Sequence, residues 1–302
     1  MKKDVLAVAD LSHDEITRVL SRAAELKSGR TSSSARPLSG RSVGLLFEKP
    51  STRTRVSFEV GAFQLGAQPV CLSISDLQLG RGETVSDTAR TLSRYLDAIV
   101  IRTSAHERLE VFAEAASIPV VNGLSDRHHP CQALADILTM QEKKGRLKGL
   151  RVAFIGDGNN VCNSLIEAAS RMEFNLTVAC PEGFEPDAGT LSAAQAGASA
   201  EIVVLRDPRE AAGMADVVYT DVWVSMGQEL EAEEKRKKFR DYQINSRLLS
   251  CAKNDVTVLH CLPAHRGEEI TDEVIDGAHS AVFDQAENRL HVQKALMELI
   301  LP

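Results

Sequence analysis

The chain has 302 residues, 43% of them hydrophobic and 25% charged, with a net charge of −7. That length leaves room for two domains with a sizeable core, and the acidic balance argues against a general nucleic-acid surface and confines any anion site to a local patch. No apolar run approaches the ~18 residues of a membrane span, and the short, charged start does not resemble a signal peptide. Six scattered cysteines, at 71, 131, 162, 180, 251 and 261, form no C-x-x-C pair. They suggest neither a zinc site nor a disulfide framework, fit a reducing cytoplasm, and read mostly as small core residues.

The first helical pattern spans 11–29, opening on Ser12 and Glu15 in capping-box spacing with Ile16, Val19, Leu20 and Ala23 on one face. Strand-like runs at 42–47, 69–74, 98–102 and 119–122 then alternate with helical patterns at 52–65, 85–96, 107–116 and 130–143. The polar stretch 141–149 marks a boundary. A second series follows, with strands expected at 152–155, 176–179, 202–205, 217–220, 257–260 and 281–283, and a last helix at 287–300. The charged run 231–240 reads as a solvated helix face or a mobile loop. Short apolar strands alternating with helices imply parallel sheets covered on both faces. Two such series predict two α/β domains with a cleft between them.

In open parallel sheets, ligands sit beyond the carboxyl ends of strands, and every strongly polar cluster in this chain falls at such an end. After the first strand comes Ser51-Thr52-Arg53-Thr54-Arg55. Ser51 stands where an N-cap belongs, Gly66 where the helix would stop, and Phe58, Ala62 and Leu65 on the buried face. A helix N-terminus carrying three hydroxyls and two guanidiniums is equipped to hold a phosphate or similar oxyanion. A well-capped surface helix is the plainer alternative, but a cap explains Ser51 and not the clustering. Arg102 ends the third strand, and His128-His129-Pro130-Cys131-Gln132 follows the fourth. His129 could donate to a carbonyl oxygen or simply cap the helix.

Gly156-Asp157-Gly158-Asn159-Asn160-Val161 follows the fifth strand. It resembles a dinucleotide fingerprint, but Val161 replaces the third glycine and no acidic residue ends the next strand. It reads better as a tight backbone approach to a small ligand, with a nicotinamide-dependent dehydrogenase as the competing class. Asp221 precedes Trp223 and Ser225-Met226-Gly227, and His260-Cys261-Leu262-Pro263 ends a later strand. Cys261 is either a core thiol or a functional one. Neighbouring strand residues face opposite ways, so His260 is not its natural base.

Taken together, Ser-Thr-Arg-Thr at 51–54, His-Pro-Cys-Gln at 129–132, Asp221 with Ser-Met-Gly at 225–227, and His-Cys-Leu-Pro at 260–263 resemble the signature set of the aspartate/ornithine carbamoyltransferase family. The last three resemble its ornithine branch, and the likeness runs from about residue 5 to the end. The resemblance implies transfer of the carbamoyl group of carbamoyl phosphate to the δ-amine of L-ornithine, giving L-citrulline and phosphate, in arginine biosynthesis or in reverse in its breakdown. It implies a carbamoyl-phosphate-binding domain at 1–140, joined by a returning C-terminal helix at 286–302, and an ornithine-binding domain at 141–285. It implies no metal or cofactor, and a cytoplasmic homotrimer, or a multiple of trimers, whose partners are its small-molecule substrates rather than nucleic acid or membrane.

By resemblance, Ser51, Thr52, Arg53 and Thr54 hold the phosphate, and Arg102 bridges phosphate and carbonyl. Thr54, Arg102 and His129 point at the carbonyl oxygen. Gln132 and the backbone carbonyls of Cys261 and Leu262 fix the carbamoyl NH2 group, with Arg289 nearby. Gln78, or the Gly80-Arg81-Gly82-Glu83 loop, serves a neighbouring subunit's site. Asn160, Asp221, Ser225 and Met226 bind the amino-acid head group, and Cys261 with Asp221 orients or deprotonates the δ-amine. Arg102, His129, Asp221 and Cys261 are thus the expected catalytic residues. His106 lies in a segment, 102–107, that also resembles the family, but no role for it follows.

Overall fold

A computed structural model describes residues 3–29, 36–73, 82–197, 199–224 and 232–301. Of the expected site residues, Gln78, Ser225 and Met226 lie outside the described residues, as do Gly80, Arg81 and Gly227. The chain divides into two compact units, one comprising 1–135 and 287–302 and the other 136–286.

In the first unit, α1 (His13–Lys27) starts at Ser12, whose hydroxyl accepts from Glu15 N while the Glu15 carboxylate accepts from Ser12 N. Then follow β1 (Ser42–Phe47), α2 (Thr52–Leu65), β2 (Gln68–Ser73), α3 (Val85–Leu92), β3 (Ala98–Arg102), α4 (His106–Ala115) and β4 (Val120–Leu124). Next, α5 (Pro130–Lys144) begins in this unit. The four strands are parallel in the order β2-β1-β3-β4. Gly66 ends α2 with φ 90°, a conformation that a side chain would disfavour. Leu46, Ile99, Ile101, Leu109 and Phe112 build a core under this sheet. α3 is one turn shorter than its pattern predicts, because the chain turns after Leu92 and Asp97 accepts from Ser42 N at the foot of β1.

The second unit contains β5 (Arg151–Ile155), α6 (Asn160–Met172), β6 (Asn175–Ala179), α7 (Ala188–Gly197), β7 (Ile202–Leu205), α8 (Pro208–Ala212) and β8 (Val217–Thr220). It continues through α9 (Ala232–Phe239), α10 (Ser246–Leu249), β9 (Thr257–His260) and α11 (Asp272–Ile275). Its parallel sheet runs β7-β6-β5-β8-β9. The apolar run 281–283 is not a strand. Ser280 makes a single bridge to Val258, and α12 (Val282–Ile300) starts immediately afterwards, leaving Phe283 exposed on its first turn. Three apolar residues fit a strand and a helical turn equally well, and the Gln285 N to Ala281 O bond decides for helix. Most of α12 belongs to the first unit, where Glu298 pairs with Arg22 of α1.

The charged run forms a helix that exposes Glu233, Glu234, Arg236, Lys237 and Lys238, as a solvated face would, and departs from expectation only at Lys235. α9 turns Lys235 inward, where it pairs with Asp157 at 2.6 Å beside the rings of Phe184 and Phe239. Trp223, Phe239 and Tyr242 pack with Phe184 in the core of this unit.

Candidate active-site residues

Strand order reverses between β1 and β3 in the first unit and between β5 and β8 in the second. Crevices open at the carboxyl ends of such strand pairs. In the first unit that place holds the 51–54 turn and Arg102. Ser51 occupies the N-cap position, yet its hydroxyl makes no cap bond; it accepts from Arg102 Nη1 at 3.0 Å. The first amides of α2 thus keep no side-chain cap from Ser51, which suits an external anion. Thr54 is buried, and Arg289 from α12 donates to Thr54 Oγ1 at 2.9 Å and to Gln132 Oε1 at 2.6 Å. One guanidinium therefore ties the start of α2 to the first turn of α5.

Burial, followed by the charges of Arg289 and Arg53, brings the Arg102 pKa down to about 10. His129 is buried, and desolvation together with Arg289, Arg102 and Arg53 holds its pKa well below the usual 6.5. Its imidazole is neutral at pH 7 and can donate one hydrogen bond without carrying charge. The His129 carbonyl accepts from Gln132 N and Ala133 N, so its backbone begins the helix. The charges acting on Arg102 and His129 are all guanidiniums, an excess of positive charge that an anion would neutralise. Arg55 is exposed and pairs with Glu59. Cys131 is a core thiol, its pKa pushed up to about 12 by burial.

In the second unit the opposite chemistry gathers. Asp221, just beyond β8, accepts from Asn159 Nδ2 at 2.7 Å, from Val222 N at 2.8 Å and from the Cys261 thiol at 2.7 Å. Asn159 also caps α6, accepting from Val161 N and Cys162 N. Asn160 stands one residue further on, half-buried, its carbonyl accepting from Ser164 Oγ. His260 keeps a ring nitrogen within 4.8 Å of the Cys261 thiol, closer than opposite-facing neighbours would stand, but both of its nitrogens are engaged elsewhere. Its Nδ1 accepts from Leu262 N at 2.9 Å, so Nε2 carries the proton and donates to the buried Glu269 at 3.0 Å. Behind them, His260 N donates to Gln285, and Gln285 and Tyr219 both donate to Asp136. This buried network holds the turn that bears Cys261 and Leu262.

Asp221, His260 and Cys261 also have metal-ligand chemistry within 4.8 Å of one another. Both ring nitrogens of His260 are engaged, however, which leaves two ligands where a bound zinc needs at least three from the protein.

The glycine-rich turn has an internal explanation. Gly158 N donates to Phe184 O, and a Cβ on Gly158 would come within 2.2 Å of Pro186 N. The close backbone approach expected for a ligand is made by the chain's own 184–186 segment. Asn159, which reaches Asp221, carried no signal beyond its place in that turn. The Lys235–Asp157 pair carried none, since 78 residues separate its members.

Comparison with known proteins gives a consistent result. The aspartate/ornithine carbamoyltransferase carbamoyl-P binding domain matches residues 3–142, and the Asp/Orn binding domain of the same family matches 148–300. An ornithine carbamoyltransferase of Syntrophus aciditrophicus is 54% identical over 302 residues, spanning 100% of both chains. That of Bacillus subtilis is 53% identical, spanning 99% of this chain and 94% of its own. The solved ornithine carbamoyltransferase of Pyrococcus furiosus superposes with a TM-score of 0.96 at 50% identity, covering 99% of this chain and 97% of that one. The chain belongs to the aspartate/ornithine carbamoyltransferase family.

Proposed function

We propose that the chain transfers the carbamoyl group of carbamoyl phosphate to the δ-amine of L-ornithine, giving L-citrulline and phosphate. The observation that carries this reading is the trio Arg53, Arg102 and Arg289 acting on a neutral, buried His129. A dianionic acyl phosphate supplies the charge such a place lacks. Ser51, Thr52, Arg53 and Thr54 hold the phosphate, with Arg102 between phosphate and carbonyl. Thr54, Arg102 and His129 donate to the carbonyl oxygen, where negative charge grows as the amine attacks. Gln132, held by Arg289, receives the carbamoyl NH2 group, as do the backbone carbonyls of Cys261 and Leu262.

The nucleophile must be the neutral amine. Asp221 and Cys261, already hydrogen-bonded to each other, orient it and accept its proton, while Asn160, Asp221, Ser225 and Met226 take the α-amino and α-carboxylate groups. The alignment of the two substrates supplies much of the acceleration, up to ~7–11 kcal/mol in favourable cases.

Assembly from copies of this chain, in threes or multiples of three, is supported by β2 standing at the edge of its sheet and by exposed Val56, Val60 and Phe63 on α2. Gln78 is proposed to serve the neighbouring copy. The six free thiols suit the cytoplasm, and no helix among the described residues is long and apolar enough to cross a membrane. The test is a citrulline assay with carbamoyl phosphate and either ornithine or putrescine, on the wild type and on Arg53→Ala. Turnover with ornithine that Arg53→Ala abolishes is expected. Near-normal turnover in that variant, or a preference for putrescine, sinks the assignment.

A further inference from the structure

His106 has no place in the chemistry above, yet it is 5% exposed and sits at the start of α4, facing the turn that leads to His129. Its Nδ1 lies 2.8 Å from Ser125 Oγ. That hydroxyl is also 3.2 Å from His128 N and 3.2 Å from Asn122 Nδ2, both of which can only donate to it. A hydroxyl has one proton and two lone pairs. The two N–H groups fill the lone pairs, and the proton has two acceptors within reach, His106 Nδ1 at 2.8 Å and His128 O at 3.3 Å; the shorter contact, and the Glu110 carboxylate 3.7 Å from Nε2, favour Nδ1 as the unprotonated ring nitrogen. The rest of the turn is closed around the same point. Ser125 N donates to His128 O at 2.9 Å, His106 N donates to Asp126 Oδ1 at 3.0 Å, and the His106 and His128 rings meet edge to face at 5.1 Å.

We infer that His106 is a positioning residue for His129: its Nδ1, acting through Ser125, fixes the 125–128 turn and thereby the placement of the His129 ring at the head of α5. The inference rests on the proposed role of His129 at the carbamoyl oxygen. The electrostatics agree with an acceptor Nδ1. Burial lowers the His106 pKa, with Arg127 in the same sense, and Glu110, Asp126 and Glu107 oppose without reversing it. The ring is therefore neutral at pH 7.

The test compares His106→Leu, His106→Gln and His106→Asn. An asparagine amide ends near the position of Nδ1, whereas glutamine reaches toward Nε2, so only asparagine can restore the bond to Ser125. Leu and Gln are expected to lower kcat on the order of 10²-fold, the scale of an ~1 Å misplacement, with KM for ornithine unchanged and Asn recovering most of the loss. Ser125→Ala removes the same contact with little change in volume and is expected to reproduce the Leu result should His106→Leu not fold.

The ring resonances of His129 provide a readout independent of turnover. They should move in the Leu, Gln and Ser125→Ala proteins and return in Asn. Variants that all retain wild-type kcat, or that fall together with Asn no better than Leu, overturn the inference, as do unmoved His129 resonances in His106→Leu. A wild type that makes no citrulline defeats the proposed function instead, and the His129 resonances then decide the positioning alone.

Discussion

At the switch points of their sheets the two units carry opposite charge. The first gathers Arg53, Arg102 and Arg289 around a histidine kept neutral by burial and by those same guanidiniums. The second gathers a carboxylate, Asp221, with an amide and a thiol that both donate to it. The folds around them are alike, each a parallel sheet with polar turns at the carboxyl ends. What differs is the residue type at a shared kind of place, so the sheet supplies the location and the charge there suits an anion in one unit and, under the proposed function, an ammonium group in the other. The arginines repel one another, and the Arg102 pKa of about 10 records that as well as burial. That repulsion is a cost to the fold which an anion among the guanidiniums would offset.

Single substitutions can break the contrast. Arg102→Ala should have the largest effect, lowering kcat for citrulline formation by about 10²–10³-fold, the scale of losing an oxyanion donor. An effect confined to KM would mean that Arg102 binds the ground state only. Asp221→Asn keeps the shape and removes the charge. A hydrogen bond to an ionised group contributes ~1.5–3 kcal/mol, so a loss of roughly 10–100-fold in kcat/KM for ornithine is expected, with KM for carbamoyl phosphate little changed. Equal damage to both substrates would erase the division of labour.

Acid should weaken the fold through the first unit. His129 and His106 have native pKa values below the usual 6.5, so beneath that pH the unfolded chain takes up protons that the native chain refuses. Stability is then unaffected by these groups above pH 6.5 and falls as pH drops below it, by about 1 kcal/mol or more by pH 5. Urea midpoints measured from pH 7.5 to 5 would show this, and His129→Gln should flatten the slope; a slope indifferent to that change refutes the attribution. The smallest effect contrasts two cysteines of similar-looking motifs. Cys131→Ala should cost about 1 kcal/mol of stability in chemical denaturation and leave turnover intact, whereas Cys261→Ala should impair turnover. Equal kinetic damage from both would contradict the core assignment of Cys131.

The sequence made the first cluster legible because its parts are local. A strand, a turn and a helix start converge within Phe47 to Arg55, and Arg102 and His129 stand at strand or helix ends. It could not show that the Ser51 hydroxyl turns away from its cap position, since that depends on Arg102, 51 residues later. Arg289 was reachable only through the family likeness, because its partners Gln132 and Thr54 are 157 and 235 residues away. In the second unit the glycine turn misled, because close approach of two backbones needs glycine whether the second belongs to a ligand or to the chain, and here it is the chain's own 184–186 segment. The run at 281–283 failed for want of length, and Lys235 for want of any local sign that a charged helix would bury one of its lysines.

One feature at the other end of the chain bears on how the protein should be handled. Val5 bridges Val121, Asp4 accepts from Val120 N, and Asn122 donates through its side chain to Leu6 O as well as to Ser125. The first described residues therefore line β4, and through Asn122 they touch the cluster that steadies His129. An affinity tag fused directly ahead of Lys3, or proteolytic trimming that removes Asp4 to Leu6, acts on the same turn as a substitution at Ser125. A preparation with a clipped or crowded amino terminus would lose specific activity without losing any substrate-contacting residue, and intact mass is the quantity to check before kinetic constants from different preparations are compared.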